Sequence, residues 1–236
     1  MLKNELIKHS PIRVLEKCIH GGVGTGNLGV FTARKGVGKT ACLAHVAIDK
    51  LLRDQFVLHI SFADQPQHIE QWYRQVFQEV AEHYKLDDTS DVYEEIVRHR
   101  FILHFKQKTA NFDQIKNSIT QIEAGAEFKP EIMIVDGFSF EDATEEDIKQ
   151  WKTFAEEQKV SIWFSATLHR DNLQFDDRHI PCPVNRFSDL FSVIIMLNPM
   201  HDYIDMQLLK DHDSQDLEKL RLKLDPKTML ISNHRV

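Results

Sequence analysis

Apolar residues recur along the chain in two patterns, short continuous runs and longer stripes with helical spacing. The clearest stripe follows Pro66, where apolar positions alternate in steps of three and one. It consists of Ile69, Trp72, Tyr73, Val76, Phe77, Val80, Ala81 and Tyr84. This spacing predicts a long amphipathic helix that begins at Pro66. We interpret its aromatic residues as core positions rather than as a surface on which bases stack.

Short apolar runs alternate with helical patterns through the first two thirds of the chain. The predicted strands cover residues 28–32, 55–62, 101–105, 130–136 and 160–165. The predicted helices lie at 12–19, 41–53, 66–84, 92–97, 112–122 and 145–158. Such alternation is typical of an α/β fold with a mainly parallel central sheet flanked by helices. Further strands are predicted, without helices between them, at 193–197, 203–209, 220–224 and 229–231, which gives a β-rich C-terminal end.

Two segments are expected to be irregular. Residues 20–26 form a glycine cluster, which should end the N-terminal helices and lead into the first strand. Ser10 is the expected N-cap of the helix before it, with Pro11 at the first helical position. Residues 169–186 are polar and contain proline, which predicts a long loop, and such loops are usually functional.

The composition limits the class of protein. A chain of 236 residues suits one domain spanning residues 1–236, and 42% hydrophobic with 28% charged residues is typical of a soluble globular protein. No apolar run approaches the ~20 residues of a membrane span, and the polar N-terminus does not resemble a signal peptide. Three cysteines without metal-ligand spacing suggest a reducing compartment, so we expect a cytoplasmic protein with no membrane association.

A glycine-rich loop stands between the first strand and the following helix. Residues 33–40 read Ala-Arg-Lys-Gly-Val-Gly-Lys-Thr, and this context is the one that a phosphate-binding loop requires. Gly36 and Gly38 can adopt a positive φ, so that backbone N–H groups approach phosphate oxygens next to a helix N-terminus. Lys39 would reach the β- and γ-phosphates, and Thr40 would bind Mg²⁺. The first glycine of the usual motif is Ala33 here.

A second part of the site is expected at Asp136. This residue ends an apolar strand, and ligands bind at the carboxyl ends of parallel strands in open α/β folds. Its carboxylate could therefore accept a hydrogen bond from Thr40 or from metal-bound water. The predicted metal ligands are thus Thr40 and Asp136. The residues expected to bind the nucleotide are Arg34, Lys35, Gly36, Val37, Gly38, Lys39, Thr40 and Ala41.

Hydrolysis would also require a group that orients water. Many P-loop ATPases have a glutamate directly after the metal-binding aspartate, whereas Gly137 occupies this position here. The Asn-Lys-x-Asp motif with which GTPases bind guanine is absent from the sequence. The remaining candidate segment is residues 61–66, Ser-Phe-Ala-Asp-Gln-Pro, at the end of the second predicted strand.

The order of these parts resembles the RecA-like ATPases, especially the branch of the clock protein KaiC and the replicative helicases. Residues 14–26 are similar to the glycine-containing entry segment of that branch, and residues 32–40 resemble the helicase form of the phosphate loop. Residues 61–66 match the segment that carries the catalytic glutamate, and residues 164–170 resemble the helicase sensor strand, with Thr167 in place of the usual glutamine. The resemblance implies a RecA-like fold, ATP and Mg²⁺ as ligands, and Asp64 as the catalytic acid.

Two departures from the family pattern concern hydrolysis. Asp64 is one methylene shorter than glutamate, and a displacement of ~1 Å can cost on the order of 100-fold in rate. Family members also offer a lysine and an arginine to the neighbouring subunit's site, and the matching positions here are Lys210 and His212. Such a cation can contribute several orders of magnitude to turnover. The resemblance therefore implies sound ATP binding with slow hydrolysis.

Nucleic acid is a less favoured partner. The net charge is −7, and residues 137–147, which correspond to a nucleic-acid-binding loop of relatives, are acidic and would repel phosphate. The second such loop mixes basic and acidic residues. It contains Arg170, Arg178, His179 and Arg186 together with Asp171, Asp176 and Asp177.

These observations favour a slow ATPase whose nucleotide state controls self-association or a protein partner. The alternatives are a nucleotide sensor that never hydrolyses ATP, and a nucleic-acid-stimulated ATPase. A small-molecule P-loop kinase would require an arginine-rich lid, for which residues 169–186 are a weak candidate.

Overall fold

A nine-stranded sheet forms the centre of the protein in the computed structural model, which describes residues 2–106, 110–126, 128–168, 173–214 and 216–233. Its strands are β1 (Leu28–Arg34), β2 (Val57–Ser61), β3 (Arg100–His104), β4 (Ile132–Asp136), β5 (Ser161–Leu168), β6 (Val193–Pro199), β7 (Ile204–Asp211), β8 (Leu222–Leu224) and β9 (Ile231–Asn233). The strand order is β3-β2-β4-β5-β1-β6-β7-β8-β9.

Helices connect the strands of the first part of the sheet. They are α1 (Leu2–His9), α2 (Ile12–Cys18), α3 (Lys39–Leu52), α4 (Pro66–His83), α5 (Ser90–Ile96), α6 (Phe112–Ala126) and α7 (Glu145–Gln158). Short 3₁₀ helices cover Val97–His99 and Val184–Leu190. None of these described helices combines the length and the apolar character that crossing a membrane requires.

The direction of the strands divides the sheet into two parts. From β3 to β6, neighbouring strands are parallel, and β1 pairs with β5 from Leu28↔Ile162 onward. From β6 to β9, neighbouring strands are antiparallel. This arrangement confirms the predicted mainly parallel α/β fold with a β-rich C-terminal end. The parallel part brings the carboxyl ends of β1, β2, β4 and β5 to one edge of the sheet.

The two faces of the sheet are covered by separate hydrophobic clusters. Successive residues of a strand point to opposite faces, so Phe31 of β1 belongs to one cluster and Val30 to the other. Helices α2, α3 and α4 cover the first face, while α6 and α7 cover the second. Nearly all of α3 is buried, as expected for a helix that other elements surround.

Two local predictions require correction. Ser10 does not cap α2: Pro11 holds the N-cap position with φ −65° and ψ −20°, and no side chain forms a capping hydrogen bond. Since Pro11 already has helical angles, Ser10 contributes its backbone oxygen, which accepts from the N–H of Arg13 at 3.1 Å. The predicted loop 169–186 is also too long, because a 3₁₀ helix begins at Val184. Residues 169–172, including Arg170 and Asp171, lie outside the described residues.

Candidate functional site

The predicted phosphate loop connects β1 to α3 at the edge where the parallel strands end. Gly36 and Gly38 have φ values of +81° and +105°, in the left-handed region that favours glycine. A Cβ on Gly36 would meet no atom within 4 Å, whereas a Cβ on Gly38 would overlap the side chain of Leu224. The two glycines therefore differ in what constrains them. At Gly38, the side chains of Leu224 and Met229 from the β8–β9 segment also lie against the loop.

Lys39 begins α3 and points back into the loop. Its ammonium Nζ donates to the backbone oxygens of Ala33 at 3.1 Å and Arg34 at 3.0 Å. The residue is only 8% exposed, and burial lowers the pKa of Lys39 to about 8, although the nearby Asp136 carboxylate acts in the opposite direction. The ammonium is thus desolvated and bound to backbone oxygens at the start of the loop.

Thr40 and Asp136, the two predicted metal ligands, lie in direct contact. The Thr40 hydroxyl donates to Oδ2 of Asp136 at 2.7 Å, although the two residues are 96 positions apart in the sequence. Asp136 is 4% exposed at the end of β4. A hydroxyl and a carboxylate are hard oxygen donors, and Mg²⁺ commonly binds through one or two such groups together with substrate phosphates. The donor set therefore fits Mg²⁺.

Ser165 is a site residue that the sequence did not reveal. Its hydroxyl donates to Oδ1 of Asp136 and accepts the backbone N–H of Gly137 at 2.9 Å. The two oxygens of Asp136 are therefore held by Thr40 on one side and Ser165 on the other. The strand register explains this contact, because Val135 of β4 pairs with Phe164 of β5, directly before the two residues. The sequence could have suggested this contact, because Ser165 is a polar residue near the carboxyl end of the strand that lies beside β4.

A cavity of about 590 Å³ opens over these groups. Its lining includes Lys35, Gly36, Gly38, Lys39, Thr40, Asp64 and Asp136. Three members of the predicted nucleotide-binding set do not line it. Arg34 contributes its backbone oxygen to Lys39, Val37 packs against the hydrophobic core, and Ala41 is fully buried.

Asp64 lies in the same cavity, in the turn between β2 and α4. The Ser61 hydroxyl shapes this turn, since it donates to the backbone oxygen of Asp64 at 2.8 Å and accepts its N–H at 3.0 Å. The Asp64 side chain is 41% exposed, and Nδ1 of His68 lies 4.0 Å from its carboxylate. Asp64 is therefore placed where its carboxylate can reach a ligand, but solvent still surrounds much of it.

Gly137 shows why no glutamate follows Asp136. Its φ is +76°, and a Cβ at this position would lie 2.6 Å from Cβ of Ala63 and 3.0 Å from its backbone nitrogen. Such distances are shorter than real Cβ contacts, so a side chain would force the ends of β2 and β4 apart. The usual place of the catalytic glutamate is closed by this packing.

Lys210 and His212, the positions at which the sequence resemblance implied subunit-bridging cations, form contacts within the chain. Nζ of Lys210 donates to the backbone oxygen of Ser188 at 2.8 Å. Nδ1 of His212 lies 2.7 Å from the Asp211 carboxylate, and its Nε2 lies 3.2 Å from the backbone oxygen of Val23. Both side chains therefore stabilise the link between the C-terminal strands and the rest of the protein.

The two described arginines of the second loop, Arg178 and Arg186, are bound internally as well. Arg178 forms ion pairs with Asp189 at 2.9 Å and Asp176 at 3.7 Å. Arg186 donates to the backbone oxygens of Phe140 and Glu141, at 2.5 and 3.2 Å. The two arginines therefore bind carboxylates and backbone oxygens of the same chain, and Arg186 in this way stabilises the loop that follows β4.

The comparison with known protein families agrees with this geometry. A family model described as an AAA domain matches residues 2–163, which is more than half of the 236-residue chain. The matched region contains the phosphate loop, Asp64 and Asp136, and ends just before Ser165. No curated protein matches the chain. With a mainly parallel sheet and a loop of this kind at its edge, the chain belongs to the AAA domain family of P-loop ATPases.

Proposed function

We propose that this protein binds ATP with Mg²⁺ and hydrolyses it slowly, and that its nucleotide state controls self-association or a protein partner. The observation that carries the proposal is the 2.7 Å hydrogen bond between Thr40 and Asp136, next to Lys39 in one cavity. This combination of an ammonium, a hydroxyl and a carboxylate is what a triphosphate with Mg²⁺ requires.

Each residue has a defined part in binding. The loop amides and the N-terminus of α3 favour negative charge. Lys39 would exchange its two carbonyl partners for phosphate oxygens, and this exchange is favourable because a buried ammonium gains from a full negative charge. Thr40 and Asp136 would hold Mg²⁺, which neutralises the charge of the phosphates when it is bound. Ser165 keeps the Asp136 carboxylate in place.

Three features of the protein support slow hydrolysis. Gly137 leaves no space for a carboxylate after Asp136. Asp64 remains as the acid that orients water, but its side chain is short and partly solvated. Lys210 and His212 are held by contacts within the chain. The proposed mechanism therefore has strong groups for binding and weak groups for stabilising the transition state.

A sensor that binds ATP without hydrolysing it is the second candidate, and the closed position at Gly137 favours it. The likeness to the KaiC and helicase branch remains part of the proposal, as does a cytoplasmic location. Nucleic-acid stimulation has less support, because Arg178 and Arg186 are bound internally and residues 137–147 are acidic. Turnover that rises on addition of DNA or RNA would reverse that preference.

The test is to measure ATP binding and turnover in the same Mg²⁺-containing sample. Lys39→Ala should weaken ATP binding strongly and abolish turnover, since it removes the phosphate-binding ammonium. Asp64→Ala should leave binding unchanged and remove the residual turnover, while Asp87→Ala, an exposed acid outside the cavity, should change neither. Binding without turnover above the Lys39→Ala level would establish the sensor instead. Absence of ATP binding in the wild-type protein would refute both.

A further inference from the structure

Trp72 differs from the other tryptophans of the protein in its surroundings. Trp151 and Trp163 are 1% and 4% exposed, and each ring packs against a phenylalanine. Trp72 is only partly buried, although Ile69 and Tyr73 on the same helix are fully buried. Within the described part of the chain, its indole contacts no other aromatic ring and forms no hydrogen bond. An unused aromatic surface is thus available.

This surface lies in the nucleotide cavity. Trp72 packs against the core cluster on the α3 face of the sheet and lines the 590 Å³ cavity together with Lys39, Thr40 and Asp64. Met229 lines the same cavity from the C-terminal end and is held in a left-handed conformation with φ +58°. The cavity therefore combines charged groups that suit phosphates with an apolar part made by an indole and a thioether.

The other aromatic residues of the cavity are already engaged. Phe138 makes ring contacts with Phe62 at 5.8 Å, Phe140 at 5.3 Å and Phe164 at 5.9 Å. Phe140 is 2% exposed. A planar ligand could stack on these rings only by disturbing that cluster, whereas Trp72 offers its ring without such a cost.

We propose that Trp72 is the residue on which the base of the bound nucleotide stacks, with Met229 as a second apolar contact. This inference rests on the proposed function, because the triphosphate must first be anchored by Lys39 and Thr40. The strength of stacking depends on the area of the rings, and every base can stack because every base has an aromatic face. No asparagine or glutamine side chain is among the described residues that line the cavity. The site should therefore prefer purine over pyrimidine nucleotides and distinguish ATP from GTP only weakly.

The experiment compares the affinities of Mg²⁺-ATP and Mg²⁺-tripolyphosphate by calorimetry. Trp72→Ala should weaken ATP binding about tenfold, because stacking on one aromatic ring has an effect of this order, and leave tripolyphosphate binding unchanged. Trp72→Phe should restore much of the loss for ATP. Gln71→Ala, at the exposed neighbouring position of α4, is the matched control and should bind both ligands like the wild type.

Two further readouts use the wild-type protein, so they do not depend on the folding of a variant. ATP and GTP should quench tryptophan fluorescence and bind several-fold more tightly than CTP and UTP, and tripolyphosphate should cause little quenching.

Equal loss of ATP and tripolyphosphate binding in Trp72→Ala, or unchanged ATP binding, would overturn the inference while the P-loop proposal stands. Failure of the wild type to bind either ligand through Lys39 would overturn both.

Discussion

At the scale of single residues, Lys39 combines burial with a function that requires its charge. The residue is 8% exposed, and two backbone oxygens and the nearby Asp136 only partly replace the water lost by its ammonium. Burial disfavours the charged form, which lowers the pKa of Lys39 from 10.5 to about 8. The side chain is therefore cationic below about pH 8 and increasingly neutral above it.

This shift predicts a pH dependence of nucleotide binding. Because the phosphates need the ammonium form, the affinity for ATP should be nearly constant below pH 7 and should fall roughly tenfold between pH 7 and pH 9. Calorimetric titrations across this range at constant Mg²⁺ provide the measurement. Lys39→Ala is the control, and its residual affinity should not change in the same window. An affinity that stays constant to pH 10 would show that the ammonium titrates at its ordinary value.

At the scale of elements, the ends of β2 and β4 approach each other closely next to the site. Ala63 follows β2, and Gly137 follows β4 with a positive φ. A backbone hydrogen bond keeps the two strand ends together, since the N–H of Phe62 donates to the backbone oxygen of Asp136 at 2.8 Å. This contact places Asp64 and Asp136 in one cavity and at the same time excludes a side chain at position 137.

Gly137→Ala should therefore destabilise the protein by about 1–3 kcal/mol, from a strained φ together with overlap with Ala63. Chemical denaturation gives the free energy of unfolding. The matched control is Gly125→Ala in α6, where a Cβ meets nothing within 4 Å. That change should be neutral or stabilising, because alanine is a better helix former. If both variants lose the same stability, the packing of β2 against β4 is looser than the distances indicate.

The C-terminal hairpin of β8 and β9 is a second element with a position at the site. Met229 Sδ lies 3.2 Å from the place of a Cβ on Gly38. Nε2 of His45, a fully buried residue of α3, lies 3.0 Å from the backbone oxygen of Met229. Burial lowers the pKa of His45 to about 4, so this histidine is neutral at physiological pH. The hairpin is thus attached directly to the helix that begins the phosphate site.

At the scale of the whole molecule, the described sheet ends at β3 and β9. Edge strands carry unpaired backbone groups and are common places of association. On β3, Phe101 is 39% exposed. The exposed edge at β3 is where we expect copies of the chain to meet under the proposed control of self-association by the nucleotide.

Sedimentation velocity with and without Mg²⁺-ATP tests whether the nucleotide regulates self-association. The wild-type protein should change its apparent mass when ATP is added, because a site that hydrolyses slowly can keep the nucleotide-bound state populated. Lys39→Ala should show one apparent mass under both conditions. A wild-type mass that is the same with and without saturating ATP would remove self-association from the proposal and leave a separate protein partner.

Several properties of this protein could be predicted from local patterns. The alternation of strands and helices, the β-rich end and the phosphate loop depend on residues that are neighbours in the sequence. Loop 33–40 was recognisable for that reason even with Ala33 at its first position. The pairing of Thr40 with Asp136 could also be expected, because parallel strands end at a common edge.

The remaining features depend on which strands are neighbours and on their register, and only the tertiary structure decides these. The register of β4 and β5 brings Ser165 to Asp136. The approach of β2 to β4 requires Gly137, and the return of the C-terminal strands engages His212 with Val23. Trp72 has the same helical spacing as core residues, so periodicity alone assigned it to the core. The sequence by itself therefore determined the fold class and the phosphate loop, whereas long-range packing determined which other side chains complete the site.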